Sequence, residues 1–241
     1  MSELSYVLFL LTTMAGSFIQ SVCGFGCAIF TMSLFPYFMP YSTSVTLTGL
    51  TALSSNIGNI LPRIKHIKWK LLISPFIGYF AFAAVSIIFS VGKSENQWLN
   101  AALGVVLILL SLYFAFFKSK IKIKPTFLNG LIVGALSGIL GGLFSISSPP
   151  IVVYSLACTD SKDEYFATNM AFLMVTNIYA AILRAIKGLI DLQMILLWAL
   201  GTLTIIIGVF FGKKVADKLN AELIRKLIYI FMALNGILML I

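Results

Sequence analysis

Charge is scarce in this sequence, and acidic charge scarcer still. Only 10% of the 241 residues are charged, against about a quarter in a soluble domain. The eight acidic residues, Glu3, Glu95, Asp160, Asp163, Glu164, Asp191, Asp217 and Glu222, all fall in a terminus or between apolar runs. Proton- and sodium-coupled cation carriers ordinarily keep a carboxylate or histidine near the bilayer midplane. This chain offers neither there, since its one histidine, His66, lies in a basic loop. Without a P-loop, paired carboxylates or a His-and-acid cluster, little is left for an enzyme, so no catalytic residue, cofactor or metal is assigned. The three cysteines, Cys23, Cys27 and Cys158, lie in or beside apolar segments and form neither a disulfide framework nor a metal set. The net charge of +9 does not point to nucleic acid, because no polar stretch exceeds about fifteen residues and none can carry a soluble basic face.

What is present is hydrophobic: 60% of the residues, with a mean hydropathy of +1.02. The apolar runs are continuous and about twenty residues long, as a membrane-crossing helix requires. A membrane β-barrel would instead alternate over segments of about ten residues. The fold class is therefore all-α, a polytopic helical membrane protein. The opening MSELSYV lacks a basic region and a clean cleavage site, so the first helix reads as uncleaved. Trp69, Trp98 and Trp198 are expected as interfacial anchors.

Two of the apolar stretches are broken at their centres. The first reads MAGSFIQSVCGFGCAIFTMSLFP, Met14 to Pro36, and the second IVGALSGILGGLFSISSPP, Ile132 to Pro150. Backbone groups freed inside a membrane cost several kcal/mol unless something satisfies them. Paired breaks in two halves are the usual pointer to a transporter's binding site. Other matches support a duplication: Gly16 with Gly134 and Gly24 with Gly142 at a spacing of 118, and Asn56-Ile57 with Asn177-Ile178 and Arg63 with Arg184 at 121. Gly92-Lys93 with Gly212-Lys213 and Leu99-Asn100-Ala101 with Leu219-Asn220-Ala221 fall at 120. The chain divides into a first transmembrane repeat, 1–118, and a second, 119–241, within a single membrane domain.

Positive charge selects how the repeats are oriented. If each broken stretch crosses once, the halves are parallel and the best arrangement puts 10 of the 17 Lys and Arg inside. If each is a hairpin or re-entrant loop, the halves are inverted and 14 lie inside, leaving Lys93, Arg184 and Lys187 outside. The positive-inside rule prefers the second. Length agrees: residues 126–158 as one helix would run about 50 Å across a core of about 30 Å. Inverted repeats are expected, with the N-terminus outside and loops 62–70 and 213–222 on one side. Pro149 to Cys158 is too short to span, which favours a re-entrant half-helix.

The polar residues left at mid-depth are the candidate substrate site. They are Gln20, Ser21, Gly24, Phe25 and Gly26 at the first break, and Gly138, Gly141, Gly142, Ser145, Ser147, Ser148 and Pro149 at the second. Asn56, Asn59 and Asn177 join them from the following helices. Glycine permits a turn and close ligand approach. A half-helix starting there points free N–H groups and its positive dipole end into the cavity, and prolines suit a helix start. Two such ends lined by Ser, Gln and Asn suit a small anion. Against this, Gly and Ser at a spacing of four often serve only close helix packing, and the asparagines interhelical bonding. Arg63 and Arg184, at helix ends, are expected to snorkel to the interface.

The clusters GSFIQSVCGFG, Gly16 to Gly26, and GALSGILGGLFSISSPPIVVY, Gly134 to Tyr154, resemble the sulfite exporter TauE/SafE family of membrane transporters, and the resemblance spans essentially the whole chain. It implies anion export, of sulfite, sulfonates or small organic acids, in a bacterial-type plasma membrane. The family commonly carries Gly where this chain has Ser145, Ser147 and Ser148, so the substrate does not carry over. The expected function is a secondary transporter or exporter of a small anion, sulfite, organosulfonate or short carboxylate, multi-pass in the inner membrane. Its partners are the substrate and the lipid bilayer, without nucleic acid, and a homo-oligomer stays open. Three alternatives remain: a membrane sulfur-relay or thiol enzyme using Cys23 or Cys158, a non-transporting membrane partner with a dry interior, and a small-cation carrier binding through backbone carbonyls.

Overall fold

The computed structural model describes residues 3–90, 97–116, 124–216, 218 and 221–240. The apolar runs become helices: α1 (Glu3–Cys23), α2 (Cys27–Leu34), α3 (Tyr41–Ile60), α4 (Trp69–Ser90), α5 (Gln97–Phe116), α6 (Phe127–Phe144), α7 (Ser148–Cys158), α8 (Lys162–Ile186), α9 (Leu192–Val215) and α10 (Ala221–Leu238). The described residues contain no strand. α1, α4, α6, α8 and α9 are long and apolar enough to cross a membrane. Gly92-Lys93, Leu219-Asn220 and the lysines at 118, 120 and 122 lie outside the described residues.

Each break has a local cause. α1 stops at Cys23 because Gly24 and Gly26 take φ of +81° and +117°, a region closed to most side chains. α2 then folds back along α1: a Cβ added at Gly16 would meet the Cys27 carbonyl oxygen and the Thr31 side chain, both at 3.3 Å. α6 stops where Ser145 takes φ +56° and its N–H donates to the Gly141 carbonyl at 3.0 Å. α7 opens on Ser148 followed by Pro149 and Pro150, and the N–H groups the two prolines lack are not needed in a first turn. Thr126, Ser161 and Asp191 cap α6, α8 and α9 with side-chain oxygens.

One register relates the first three helices of each half. α1 and α6 end 121 residues apart, and α2 and α7, like α3 and α8, begin 121 apart. Gly24 therefore corresponds to Ser145, the other left-handed residue, and not to Gly142. The spacing of 118 instead sets Gly16 and Gly24, beside the first turn, against two glycines of α6. Gly134 and Gly142 belong to a helix seam, whereas Gly16 faces α2.

The seams show the helix directions. α4 and α6 run parallel, Gly130 lying on Ser74, Gly134 on Pro75, Gly138 on Tyr79 and Gly142 on Ser86. α1 and α9 are also parallel, with Gly201 on Phe9, Gly208 on Met14 and Ser17, and Gly212 on Phe18 and Ser21. α3 and α8 run antiparallel, since Gly49 meets Arg184 while Arg63 pairs with Asp163. So do α5 and α10, where Gly104 meets Gly236 and Ser111 Oγ donates to the Tyr229 carbonyl at 2.7 Å. Close backbone approach at small residues is how membrane helices gain packing energy without a hydrophobic drive.

Basic residues collect at one end. Arg63 pairs with Asp163 at 2.8 Å, Lys68 with Glu164 at 2.9 Å, and Lys213 Nζ donates to the Gly58 carbonyl at 2.6 Å. The ends of α3 and α9 and the start of α8 thus share this basic end. Glu164 raises the Lys68 ammonium above the ordinary lysine value, through its hydrogen bond and then its charge. Trp198 donates its indole N–H to Ser54 Oγ at 2.9 Å, within the α3–α9 packing. Arg184 departs from the expected interfacial role. It is buried, 3% exposed, because the carbonyls ending α6 lie within its reach and serve in place of water.

Candidate functional site

The α1–α2 turn and the α6–α7 turn meet at one small cavity between α3 and α8. Gln20 and Gly26 line it from the first turn, and Ser145, Ser147 and Ser148 from the second. Ala52 and Asn56 of α3 and Leu173 and Asn177 of α8 complete its walls with Ala28. Asn56 and Asn177 are register mates, as are Ala52 and Leu173, and Gly26 and Ser147. The lining residues include no carboxylate, histidine, lysine or arginine.

The polar groups here are only partly satisfied. Gln20 donates its amide to Asn56 Oδ1 and, at 3.4 Å, to Met170 Sδ. That leaves Asn56 Nδ2 buried with no hydrogen-bond partner, and Ser148 Oγ is in the same state. A buried donor without a partner costs about 1–3 kcal/mol, so two on one cavity mark a place suited to an acceptor. Gly26 and Ser147, at the N-caps of α2 and α7, make no side-chain capping bond. The first N–H groups of both helices are therefore uncapped by side chains, at the ends where each dipole is positive. Every group named here is a donor or neutral, and the set is suited to a small oxyanion. The free volume of the cavity is about 10 Å³, room for about one water.

Other expected site residues lie elsewhere. Ser21 Oγ donates to the Ser17 carbonyl at 2.8 Å and packs on Gly212 in the α1–α9 seam. Asn59 donates to the Ser55 carbonyl at 2.9 Å, within its own helix. Phe25 is buried in the core packed against α8 and α10. Gly24 supplies the turn, and its carbonyl accepts from Asn169 Nδ2 at 2.7 Å. Gly138 and Gly142 sit in the α4–α6 seam, and Gly141 lies against the Tyr79 hydroxyl and Ser147. Pro149 is buried in the first turn of α7.

Two residues were missed. Asn169 ties the first turn to α8 and keeps a buried Oδ1 without a partner. Its signal was periodic: 169, 173 and 177 share one helix face. Arg184 was placed at the interface, yet its Nη2 donates to the Gly141 and Gly142 carbonyls at 3.2 and 3.1 Å.

A second cleft of about 280 Å³ opens at the basic end, lined by Val22, Leu156, Thr159 to Lys162, Tyr165 and Phe166. Tyr165 and Phe166 also flank Gly24, so this cleft adjoins the first turn. Cys23 and Cys27 are fully buried and Cys158 partly so. No group of His, Cys, Asp or Glu among the described residues is arranged to hold a metal.

Comparison with known proteins agrees with this architecture. A Cupriavidus necator protein described as a probable sulfite/organosulfonate exporter, TauE, is 20% identical over 219 residues, 89% of this chain and 86% of that protein. A Bacillus subtilis protein described as a probable membrane transporter, YdhB, is 22% identical over 242 residues, 97% of this chain and 98% of the other. No solved structure matches. The family profile of the sulfite exporter TauE/SafE family matches residues 8–239. The chain belongs to the sulfite exporter TauE/SafE family, and is a multi-pass bacterial membrane transporter rather than an enzyme.

Proposed function

We propose that this transporter exports a small anion of the sulfite, organosulfonate or short-carboxylate class, bound between the α1–α2 and α6–α7 turns. The observation that carries the reading is the cavity itself. Breaks far apart in sequence converge there, with two buried donors lacking partners and no carboxylate in its walls. The exporter description of the Cupriavidus relative supports the same class.

The halves are read as inverted repeats, each with a re-entrant hairpin. Two copies related by an axis in the membrane plane make each self-paired helix couple antiparallel, as α3–α8 and α5–α10 are. The cross-pairs α4–α6 and α1–α9 exchange under the same operation and share one sense. An axis along the membrane normal would make α3 and α8 parallel. The basic end is cytoplasmic by the positive-inside rule, so the 280 Å³ cleft is the inner approach. Alternating access rocks one repeat against the other around the central cavity. With the cytoplasm negative, each charge leaving gains about 2.3 kcal/mol per 100 mV, roughly a 50-fold outward gradient. Export therefore needs no coupling ion.

The test is sulfite, methanesulfonate and acetate efflux from proteoliposomes. The Ser147→Ala, Ser148→Ala double variant is expected to raise KM by about tenfold, the worth of roughly one hydrogen bond, at an unchanged unfolding temperature. Wild-type transport in the double variant removes these serines from the site. Wild-type protein that moves none of the three anions removes the function.

A further inference from the structure

Arg184 is a cation buried in the outer half of the protein. An arginine this close to a helix end ordinarily reaches back to the interface, and α8 ends two residues on, at Ile186. Among the described residues no carboxylate pairs with Arg184. Its two hydrogen bonds both leave Nη2, toward the carbonyls of Gly141 and Gly142. A guanidinium carries five N–H donors in a fixed fork, and Nη1 and Nε have no hydrogen-bond partner among the described residues. A charge kept in a membrane protein without a counter-ion is a functional residue by default.

Its position says what it meets. A Cβ at Gly49 would lie 3.1 Å from Arg184 Nη1 and 3.2 Å from Ser145 Oγ. The guanidinium and the cavity-lining serine thus rest side by side on the same face of α3. Its register mate is placed differently. Arg63 has a carboxylate, Asp163, and stacks over Phe166 at 5.1 Å. The chain neutralises the arginine on the approach side and leaves the exit-side arginine unneutralised.

We propose that Arg184 is a second anion site, the station to which the substrate passes when the cavity opens outward. In the closed form its fork is parked on the end of α6. As the α6–α7 turn moves off α3, Ser145 withdraws, and Nη1 and Nε take the oxyanion in the bidentate geometry that guanidinium matches. This inference rests on the anion-export reading above.

The test is sidedness. Sulfite efflux and uptake are measured in oriented proteoliposomes for wild type, Arg184→Gln and Arg184→Lys. Gln keeps an amide donor for the α6 carbonyls without charge, and Lys keeps the charge without the fork. The outer-face KM is expected to rise by about tenfold in R184Q and by a few-fold in R184K, as loss of a charge-assisted bond implies, with the inner-face KM within about twofold. An outer KM unchanged in R184Q, or inner and outer constants raised alike, makes Arg184 a helix cap and overturns the proposal. Should R184Q fail to fold, a stable R184K with wild-type outer KM overturns it equally. Wild type that moves sulfite in either direction while R184Q behaves normally defeats this inference alone. Wild type inert toward every anion defeats the export reading beneath it.

Discussion

The two turns share one left-handed position, Gly24 in the first and Ser145 in the second, and differ in chemistry around it. At the first, glycine supplies both positive-φ positions, and α2 begins with Cys27, Ala28 and Ile29, each able to present a backbone N–H. At the second, Ser145 takes the left-handed position, and Pro149 and Pro150 remove two N–H groups from the start of α7. Three serine hydroxyls stand near the cavity in their place. On the proposed anion reading, the first turn offers backbone donors and the second side-chain donors. Side chains are the half that substitution can retune, so selectivity among small anions is expected to follow the second turn.

The comparison breaks first at the register. If 121 is right, Gly134 is a seam residue and Gly16 is not its counterpart. A Cβ at Gly134 would lie 2.0 Å from the Pro75 carbonyl oxygen, a backbone atom that cannot yield without shifting α4. Gly134→Ala is expected to destabilise by about 3 kcal/mol or more, measured by thermal unfolding in detergent. Gly16→Ala, whose nearest contacts lie at 3.3 Å, is expected to cost about 1 kcal/mol or less. Equal losses restore the spacing of 118.

The next test exchanges turn chemistry. At Gly24 an added Cβ meets Phe166 and Tyr165 at 3.1 Å on a backbone at φ +81°, so Gly24→Ala is expected to lose about 2 kcal/mol. Ser145→Gly relieves about 1 kcal/mol of left-handed strain and forfeits a hydroxyl bond to the Val45 carbonyl, 2.7 Å long, worth about as much. Its unfolding temperature should hardly move. A large loss in Ser145→Gly would mean that the hydroxyl, not the backbone, builds the second turn.

Ser148→Ala separates binding from folding more sharply. The Ser148 hydroxyl is buried without a partner, so removing it is expected to leave stability unchanged or raise it by up to about 1 kcal/mol. Anion affinity should fall, read as a higher KM. A destabilised protein would mean that the hydroxyl is satisfied in the membrane and is not waiting for a ligand.

The helices themselves were legible, because a continuous apolar run in a chain this poor in charge has one stable answer in lipid. The breaks were legible from Gly24, Gly26 and the Pro149-Pro150 pair, whose backbone limits do not depend on context. Gln20, Asn56, Asn177 and the three serines were located as a group because they sit at the two breaks or on the helix that follows each break. Which of their neighbours point inward was not legible. Ser21 and Asn59 bond within their own helices, a choice set by helix rotation and by the seams. The spacings of 118 and 121 were not separable in sequence for a similar reason: glycine recurs in membrane helices for packing, so glycine matches carry little alignment information. Arg184 was hidden because its partners are backbone carbonyls, which leave no residue type to recognise.

The smallest expected effect completes the comparison of the two arginines. Arg63 and Asp163 are both partly exposed at the basic end, 30% and 54% at the side chain. An ion pair in that setting is screened by salt and contributes little. Asp163→Asn is therefore expected to leave the thermal transition within the scatter of repeated scans and the inner-face KM for sulfite within about twofold. The reason to measure it is the contrast. If freeing Arg63 of its carboxylate strengthens anion capture at the inner face, the neutralised arginine is latent recognition machinery, and the two halves differ in one acid rather than in design. If nothing changes, Arg63 anchors the end of α3 on Phe166 and the cytoplasmic surface, and the buried arginine on the other side is the one that handles the anion.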